Sequence, residues 1–245
     1  MFKPHLMTEI QEIFTQTKYR TFDFPKRKWQ YYQEWNKAIF LHWKVPVAIL
    51  AELLPKGIHI DTFEGHAYVS LVAFTMEKMR PRYLPSLACV SDFHEINVRT
   101  YVVKDNKPGV YFINIEASKK LSAYLAKSFS GLPYEKSRIS RSASTYTSAN
   151  KKKDFHLSIA YKKGEVVVDK TALDLWLTER YCLYLGEQNK LYCFDIHHKE
   201  WVVNQLLLER LELAYSIGGL QLAKEPDLMH YSPGVKVLAW GRERV

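Results

Sequence analysis

The segment Glu95-Ile96-Asn97-Val98-Arg99-Thr100-Tyr101-Val102 constrains this chain more than any other. It reads as a strand, on which side chains alternate between faces. Ile96, Val98, Thr100 and Val102 then share one side, and Glu95, Asn97, Arg99 and Tyr101 line up on the other. A solvated face has little use for a carboxylate, an amide, a guanidinium and a phenol in one row. A polar-lined barrel or cleft that grips a small molecule does. The competing reading is a buried Glu–Arg network that fixes the register of the sheet, since same-face neighbours on a strand are only ~7 Å apart.

The rest of the chain supplies more strands than helices. Strand-like runs cover Ala38–Trp43, Ala67–Met76, Glu95–Val103, Val110–Glu116, Ile139–Thr147, Phe155–Tyr161, Glu165–Val168, Trp201–Leu207 and Val235–Trp240. Tyr181–Leu185 and Leu191–Ile196 make a further hairpin around Gly186-Glu187-Gln188-Asn189. Lys107-Pro108-Gly109 and Lys163-Gly164 read as turns. Helical spacing marks Thr8–Phe14, Val47–Leu54 and Ala117–Phe129, the last with Leu121, Tyr124, Leu125 and Phe129 on one stripe. No Gly/Ser-rich linker or internal repeat divides the chain. The expectation is a β-rich α+β fold: residues 1–34 as an N-terminal helix and arm, and 35–245 as one domain of barrel or strongly curved antiparallel sheets.

Hydrophobic residues make up 47% of the chain and aromatics 14%, enough for a sizeable core. Val45–Leu54 is interrupted by Pro46 and Glu52, so no stretch is apolar enough to span a membrane. The N-terminus lacks the apolar run of a secretory signal. Three cysteines, Cys89, Cys182 and Cys193, are an odd number without paired spacing. A reducing, cytoplasmic setting follows as the expectation. The formal charge of +9 gathers in Lys26–Lys28, Lys136–Arg141, Lys151–Lys153 and Lys162-Lys163. Such clusters can track phosphates, but Lys151–Lys153 reads as a solvated hairpin tip and no nucleic-acid-binding motif accompanies it.

No nucleophile elbow, Walker loop or Gly-x-Gly-x-x-Gly is present, so hydrolase, NTPase and dinucleotide readings lose their usual warrant. His197 and His198 would point to opposite faces of one strand. With His230 they could form a site only if the fold gathers them, and no zinc spacing supports a metal. Arg180 is a second candidate anion anchor, and His42-Trp43 reads as core packing with one polar handle. No metal or cofactor is expected.

Several stretches carry a family resemblance: Leu41-His42-Trp43, Asp61-Thr62-Phe63, the row from Glu95 to Val102, Gly131-Leu132-Pro133-Tyr134, Thr178 to Tyr184, His197-His198 with Trp201, and His230 to Val235. Through them the chain resembles the YqjF-like uncharacterised bacterial proteins, the domain of unknown function 2071. That family is similar in fold to acetoacetate decarboxylase, a cone-like β-barrel with a largely apolar interior. The decarboxylase forms a Schiff base on the first of two adjacent lysines, the second of which disfavours the charged ammonium. Lys119-Lys120 has a similar placement just after the strand Val110–Glu116, and Glu95 stands where the decarboxylase relatives carry an acidic pocket residue. Two solvated lysines on an amphipathic helix, or an alignment through Gly131–Tyr134, are the alternatives.

Three functions follow as expectations. The first is a small-molecule-binding barrel whose ligand is apolar or aromatic with an anionic or carbonyl group. Arg99 would grip the anion, Glu95 and Asn97 would orient the ligand, and Tyr101, Arg180 and His230 would complete the site. The second is a Schiff-base lyase acting on an oxo acid through Lys119, with Lys120 and Glu95 in support. The third is nucleic-acid binding by the basic loops. A homo-oligomer is compatible with all three.

Overall fold

The computed structural model describes residues 4–118, 134–187 and 190–245. Its strands are β1 (Tyr31–Val45), β2 (His59–Ile60), β3 (Ala67–Pro81), β4 (Phe93–Lys104), β5 (Lys107–Ala117), β6 (Tyr134–Lys136), β7 (Arg138–Arg141), β8 (Thr145–Asn150), β9 (Phe155–Val166), β10 (Cys182–Glu187), β11 (Lys190–His198), β12 (Asn204–Ile217), β13 (Leu220–Leu222), β14 (Leu228–Ala239) and β15 (Glu243–Arg244). The helices are α1 (Pro4–Thr15), α2 (Val47–Ala51), α3 (Ala88–Ser91) and α4 (Ala172–Thr178). None of the described helices is long and apolar enough to cross a membrane.

The strands β11, β10, β5, β4, β3, β1 and β14 pair in succession, and β11 also pairs with β14, so the path returns on itself. The return is partial, which gives a cone-like curved sheet and not a uniform closed barrel. One edge of β14 is taken by β1 along its length. β11 holds the C-terminal part of the other edge (His198 opposite Val237), and β12 takes over at Asn204 opposite Tyr231. Between them lie Pro233, which has no N–H to offer a ladder, and Gly234 at φ +136°. The chain can leave one layer for the next at this gap.

From β12 the sheet continues through β9, β8 and β7. Tyr146, Leu157, Ile159 and Tyr215 of this second layer cluster with Ile39, Leu41, Val69, Leu71, Ile96 and Val98 from the outer face of the ring. The inner face carries a separate cluster, including Phe40, Val72, Phe74, Phe93, Tyr101 and Phe112. Strands β1, β3 and β4 are therefore buried on both sides, and β1 and β3 accordingly carry long apolar runs. Each fully buried Leu or Ile, such as Leu71 and Ile96, contributes about 1.5–3 kcal/mol. α1 sits outside the ring, with Ile10 and Ile13 against Trp29, Tyr32, Leu238 and Trp240.

Several local expectations are corrected. The β4–β5 hairpin turns at Asp105-Asn106, with φ +49° and +59°, while Lys107-Pro108-Gly109 opens β5. Asp and Asn tolerate the left-handed region that a two-residue hairpin requires. Ile139–Thr147 is broken into β7 and β8, where the Ser142 N–H donates to Thr145 O at 2.9 Å. Lys163-Gly164 is no turn: Phe155–Tyr161 and Glu165 onward belong to one strand, β9, which a register irregularity bends against β12. Ala117 ends β5, the Ser118 N–H donates to His94 O at 3.0 Å, and the rest of the expected helix, 119–129, lies outside the described residues. β1 starts at Tyr31, within the segment read as an arm.

Candidate functional site

A cavity of about 330 Å³ occupies the ring where β1 begins, β3 ends and β4 begins. Trp35, Phe40, Phe74, Phe112, Phe194 and Trp201 line it among aliphatic side chains, and Glu95, Asn97 and Arg99 line it too. The β4 pleat explains this grouping: Phe93 and Tyr101 of the same parity belong to the inner cluster, while Ile96 and Val98 belong to the outer one. At the mouth, Leu84 and Leu87 line the cavity although they are 58% and 62% exposed.

Arg99 is the unusual member of the row. It is 7% exposed, its Nε has no hydrogen-bond partner, and no carboxylate of the described residues pairs with it. Burial pushes its guanidinium down, and the neighbouring Tyr101 phenol works in the opposite direction. Its Cζ lies 5.8 Å from the centre of the Phe40 ring, a cation–π contact that only partly offsets lost hydration. Asn97 donates from Nδ2 to Glu95 Oε1 at 3.4 Å, whereas its Oδ1 has no partner. Buried polar groups are nearly always satisfied, so an open donor and an open acceptor on one wall mark where a ligand's polar atoms would belong.

The other expected site residues sit elsewhere. Tyr101 lies one step further along the same face but does not line the cavity; its hydroxyl donates to Leu177 O at 3.0 Å and contacts Ser70 Oγ at 2.6 Å. Arg180 already has a carboxylate, Asp61 at 2.6 Å, and donates from Nε to Trp176 O at 2.7 Å. Its Nη2 has no hydrogen-bond partner, but Arg180 does not line the cavity. His230 is also outside the cavity, with Nδ1 3.2 Å from His42 Nε2 and Nε2 2.9 Å from Asp174 Oδ1. His42 Nδ1 continues to Ser70 Oγ at 2.6 Å. Lys119 and Lys120 lie outside the described residues, as do Gly131, Leu132 and Pro133. No described residue lining the cavity is a lysine.

The buried chain from Asp174 through His230, His42 and Ser70 to Tyr101 was not assembled from the sequence. Its members come from α4, β14, β1, β3 and β4, and only the register brings them together. Asp174 is fixed by a capping box, accepting from the Thr171 N–H at 2.8 Å while its own N–H donates to Thr171 Oγ1. Burial opposes ionisation of Asp174, but the Thr171 donors and His230 outweigh it and hold the carboxyl below its ordinary range. His197 and His198 join neither His230 nor each other around a common point. His197 Nε2 meets Ile13 O at 3.0 Å, and His198 Nδ1 meets Lys199 O at 2.8 Å. Among the described residues no His/Cys/Asp/Glu cluster has the arrangement of a metal site.

Comparison with known proteins gives the same architecture. A family model described as an uncharacterized conserved protein, domain of unknown function 2071, matches residues 32–236. The uncharacterized protein YqjF of Bacillus subtilis (strain 168) is 37% identical over 229 residues, covering 88% of this chain and 93% of that protein. Among solved structures, acetoacetate decarboxylase from Legionella pneumophila superposes with a TM-score of 0.60 at 12% identity, covering 94% of this chain and 95% of its own. The enduracididine biosynthesis enzyme MppR complexed with pyruvate gives a TM-score of 0.57 at 10% identity, covering 92% and 93%. At those identities the likeness concerns the fold.

Proposed function

Because the chain belongs to the family of uncharacterized conserved proteins called domain of unknown function 2071 and has the acetoacetate-decarboxylase-like fold, we propose that it binds a small apolar or aromatic molecule bearing an anionic group. One observation carries the reading: Arg99 is a buried guanidinium to which no carboxylate of the described residues supplies a counter-charge, on the wall of an aromatic cavity. An unpaired buried charge costs the fold several kcal/mol, and a carboxylate or sulfonate placed against it recovers much of that cost. The aromatic wall contributes the rest through apolar burial. MppR, of the same fold, is described with pyruvate, a carboxylate that also carries a carbonyl.

A second reading is imine chemistry on an oxo acid, with Lys119 as nucleophile, Lys120 beside it and Glu95 moving protons. It draws support from the fold and from Glu95 in the cavity. Borohydride reduction in the presence of pyruvate checks it: an adduct on Lys119 favours the lyase, and no adduct on any lysine removes it for that substrate. Nucleic acid fits less well, since Lys152 and Lys153 face Glu135 at 3.5 and 3.8 Å and Lys162 faces Glu209 at 2.5 Å. The free, buried thiols of Cys182 and Cys193 suit a reducing compartment, so a cytoplasmic setting is part of the proposal.

The binding reading is tested by titrating naphthalene-2-sulfonate, an aromatic anion, against the tryptophan emission that Trp35 and Trp201 give the cavity. Saturable binding that weakens at least ~10-fold in Arg99→Gln is the expected result, given about 1.5–3 kcal/mol for a hydrogen bond to a charged group. Equal affinity in wild type and variant would overturn the reading.

A further inference from the structure

The buried chain beneath Arg99 has one contact more than its neutral members have protons. Its five contacts are Leu177 O to Tyr101 OH (3.0 Å), Tyr101 OH to Ser70 Oγ (2.6 Å), Ser70 Oγ to His42 Nδ1 (2.6 Å), His42 Nε2 to His230 Nδ1 (3.2 Å) and His230 Nε2 to Asp174 Oδ1 (2.9 Å). Each needs one proton between its two heavy atoms. One phenol, one hydroxyl and two neutral imidazoles supply only four, because an ionised carboxylate and a carbonyl only accept. With four protons, one of the five contacts is always left without a proton, wherever along the chain the gap falls. A fifth proton fills the series. Tyr101 then donates to Leu177 O, Ser70 to Tyr101 and His42 to Ser70, while His230 becomes an imidazolium donating to both His42 and Asp174.

The chain also meets the cavity. Arg99 stands opposite Ser70 across β3 and β4, and Ser70 stands opposite His42 across β1 and β3. We propose that this chain is a proton-binding site coupled to the cavity, taking up one proton when an anion settles on Arg99 and giving it back when the anion leaves. The proton comes from the buffer, and no other bond is made or broken beyond the hydrogen-bond shifts just described. The inference rests on Arg99 being the anion site.

The charges around the chain fix the direction of the coupling. Burial, His230 and Arg99 hold the His42 imidazole well down. Burial also lowers His230; Asp174 pulls it back up, and Lys170 adds to the lowering. Lys170 is itself bound to Glu200, and Arg180, over the Tyr101 ring, is paired with Asp61. From β12, His230 faces Gln205, which is uncharged. Arg99 is thus the one cation of this surrounding set without a carboxylate, and an anion on it cancels the charge that disfavours the fifth proton.

The experiment is calorimetric titration of naphthalene-2-sulfonate, which stays ionised throughout, in phosphate and in Tris, buffers with different heats of ionisation. Wild type should take up about one proton per anion near pH 7, and its affinity should rise by up to ~10-fold per pH unit as pH falls from about 8 to about 6. Ser70→Ala leaves three contacts and three protons, so it should bind with almost no uptake and a flat pH profile. Tyr101→Phe reaches the same balance by a different deletion and serves if Ser70→Ala fails to fold. Wild-type binding without proton uptake, or undiminished uptake in a folded variant, overturns the coupling alone. Failure of wild type to bind the anion at all overturns the cavity reading and the coupling with it.

Discussion

Ser70 and Arg99 are register partners on β3 and β4, so a neutral hydroxyl and a guanidinium that no described carboxylate pairs with share one position across the inner face of the ring. Ser70 turns toward His42 and Tyr101, and Arg99 reaches the cavity near Phe40. One row of the sheet therefore separates a hydrogen-bonded interior from a cavity wall with open polar atoms. The contrast sets an expectation for stability as well as for binding.

Arg99→Met should stabilise the protein while abolishing anion binding. It removes a buried charge that no carboxylate of the described residues pairs with, and exchanging buried ionic groups for apolar ones of similar size has raised stability by about 1–4 kcal/mol elsewhere. Urea denaturation reads the change. A marked loss of stability would mean that Arg99 is held by contacts its open Nε does not indicate.

Acid should destabilise the fold well before the carboxylates titrate. Burial, with His198 and Arg20 adding to it, takes His197 down to about 3, against an unfolded value of about 6.5. The unfolded chain then binds the extra proton first, so this stability is full above about pH 6.5 and is lost as pH falls toward 3. The loss attributable to His197 at about pH 5 is roughly 2 kcal/mol. Thermal melts of wild type and His197→Gln check it: the variant should show the shallower decline, and parallel declines would assign the effect elsewhere.

Gly234→Ala should cost about 1–3 kcal/mol or more. A Cβ there would lie 2.5 Å from both Asn36 Oδ1 and Trp35 O, on a residue at φ +136°. The strain falls at the gap where β11 and β12 part along β14. Denaturant midpoints measure it, and an unchanged midpoint would show that β1 can move away at no cost.

Leu84→Ser and Leu87→Ser should leave stability within about 0.5 kcal/mol, because both side chains are largely exposed. They should nonetheless weaken naphthalene-2-sulfonate binding by about 3- to 10-fold through lost apolar cover at the mouth. Fluorescence titration beside a thermal melt separates the two effects. Full affinity in both variants would remove the 82–87 segment from the site.

The polar row of β4 was legible in the sequence because a strand's period of two sorts Glu95, Asn97 and Arg99 from Ile96 and Val98 without any tertiary information. The family resemblance extended that to the whole fold. The chain from Asp174 to Tyr101 was illegible for the opposite reason. His42 and Ser70 each sit singly in an apolar run, and their meeting depends on the pairing of β1 with β3. Asp174 carries no signal of its own in the sequence, and its contact with His230 appears only once α4 is placed beside β14. The partner of Arg180 was equally hidden, since spacing says nothing of Asp61, 119 positions away. The second half of β12 was missed because its side chains alternate with solvent and include charged Glu209, Arg210 and Glu212.

The most direct measurement is a crystal structure of the protein with naphthalene-2-sulfonate. We expect a sulfonate oxygen within about 3 Å of the Arg99 guanidinium, with the rings against the aromatic wall that includes Phe40, Phe194 and Trp201. An empty cavity, or an anion held on the basic surface loops while Arg99 stays unpartnered, would contradict the assignment of this cavity as the binding site.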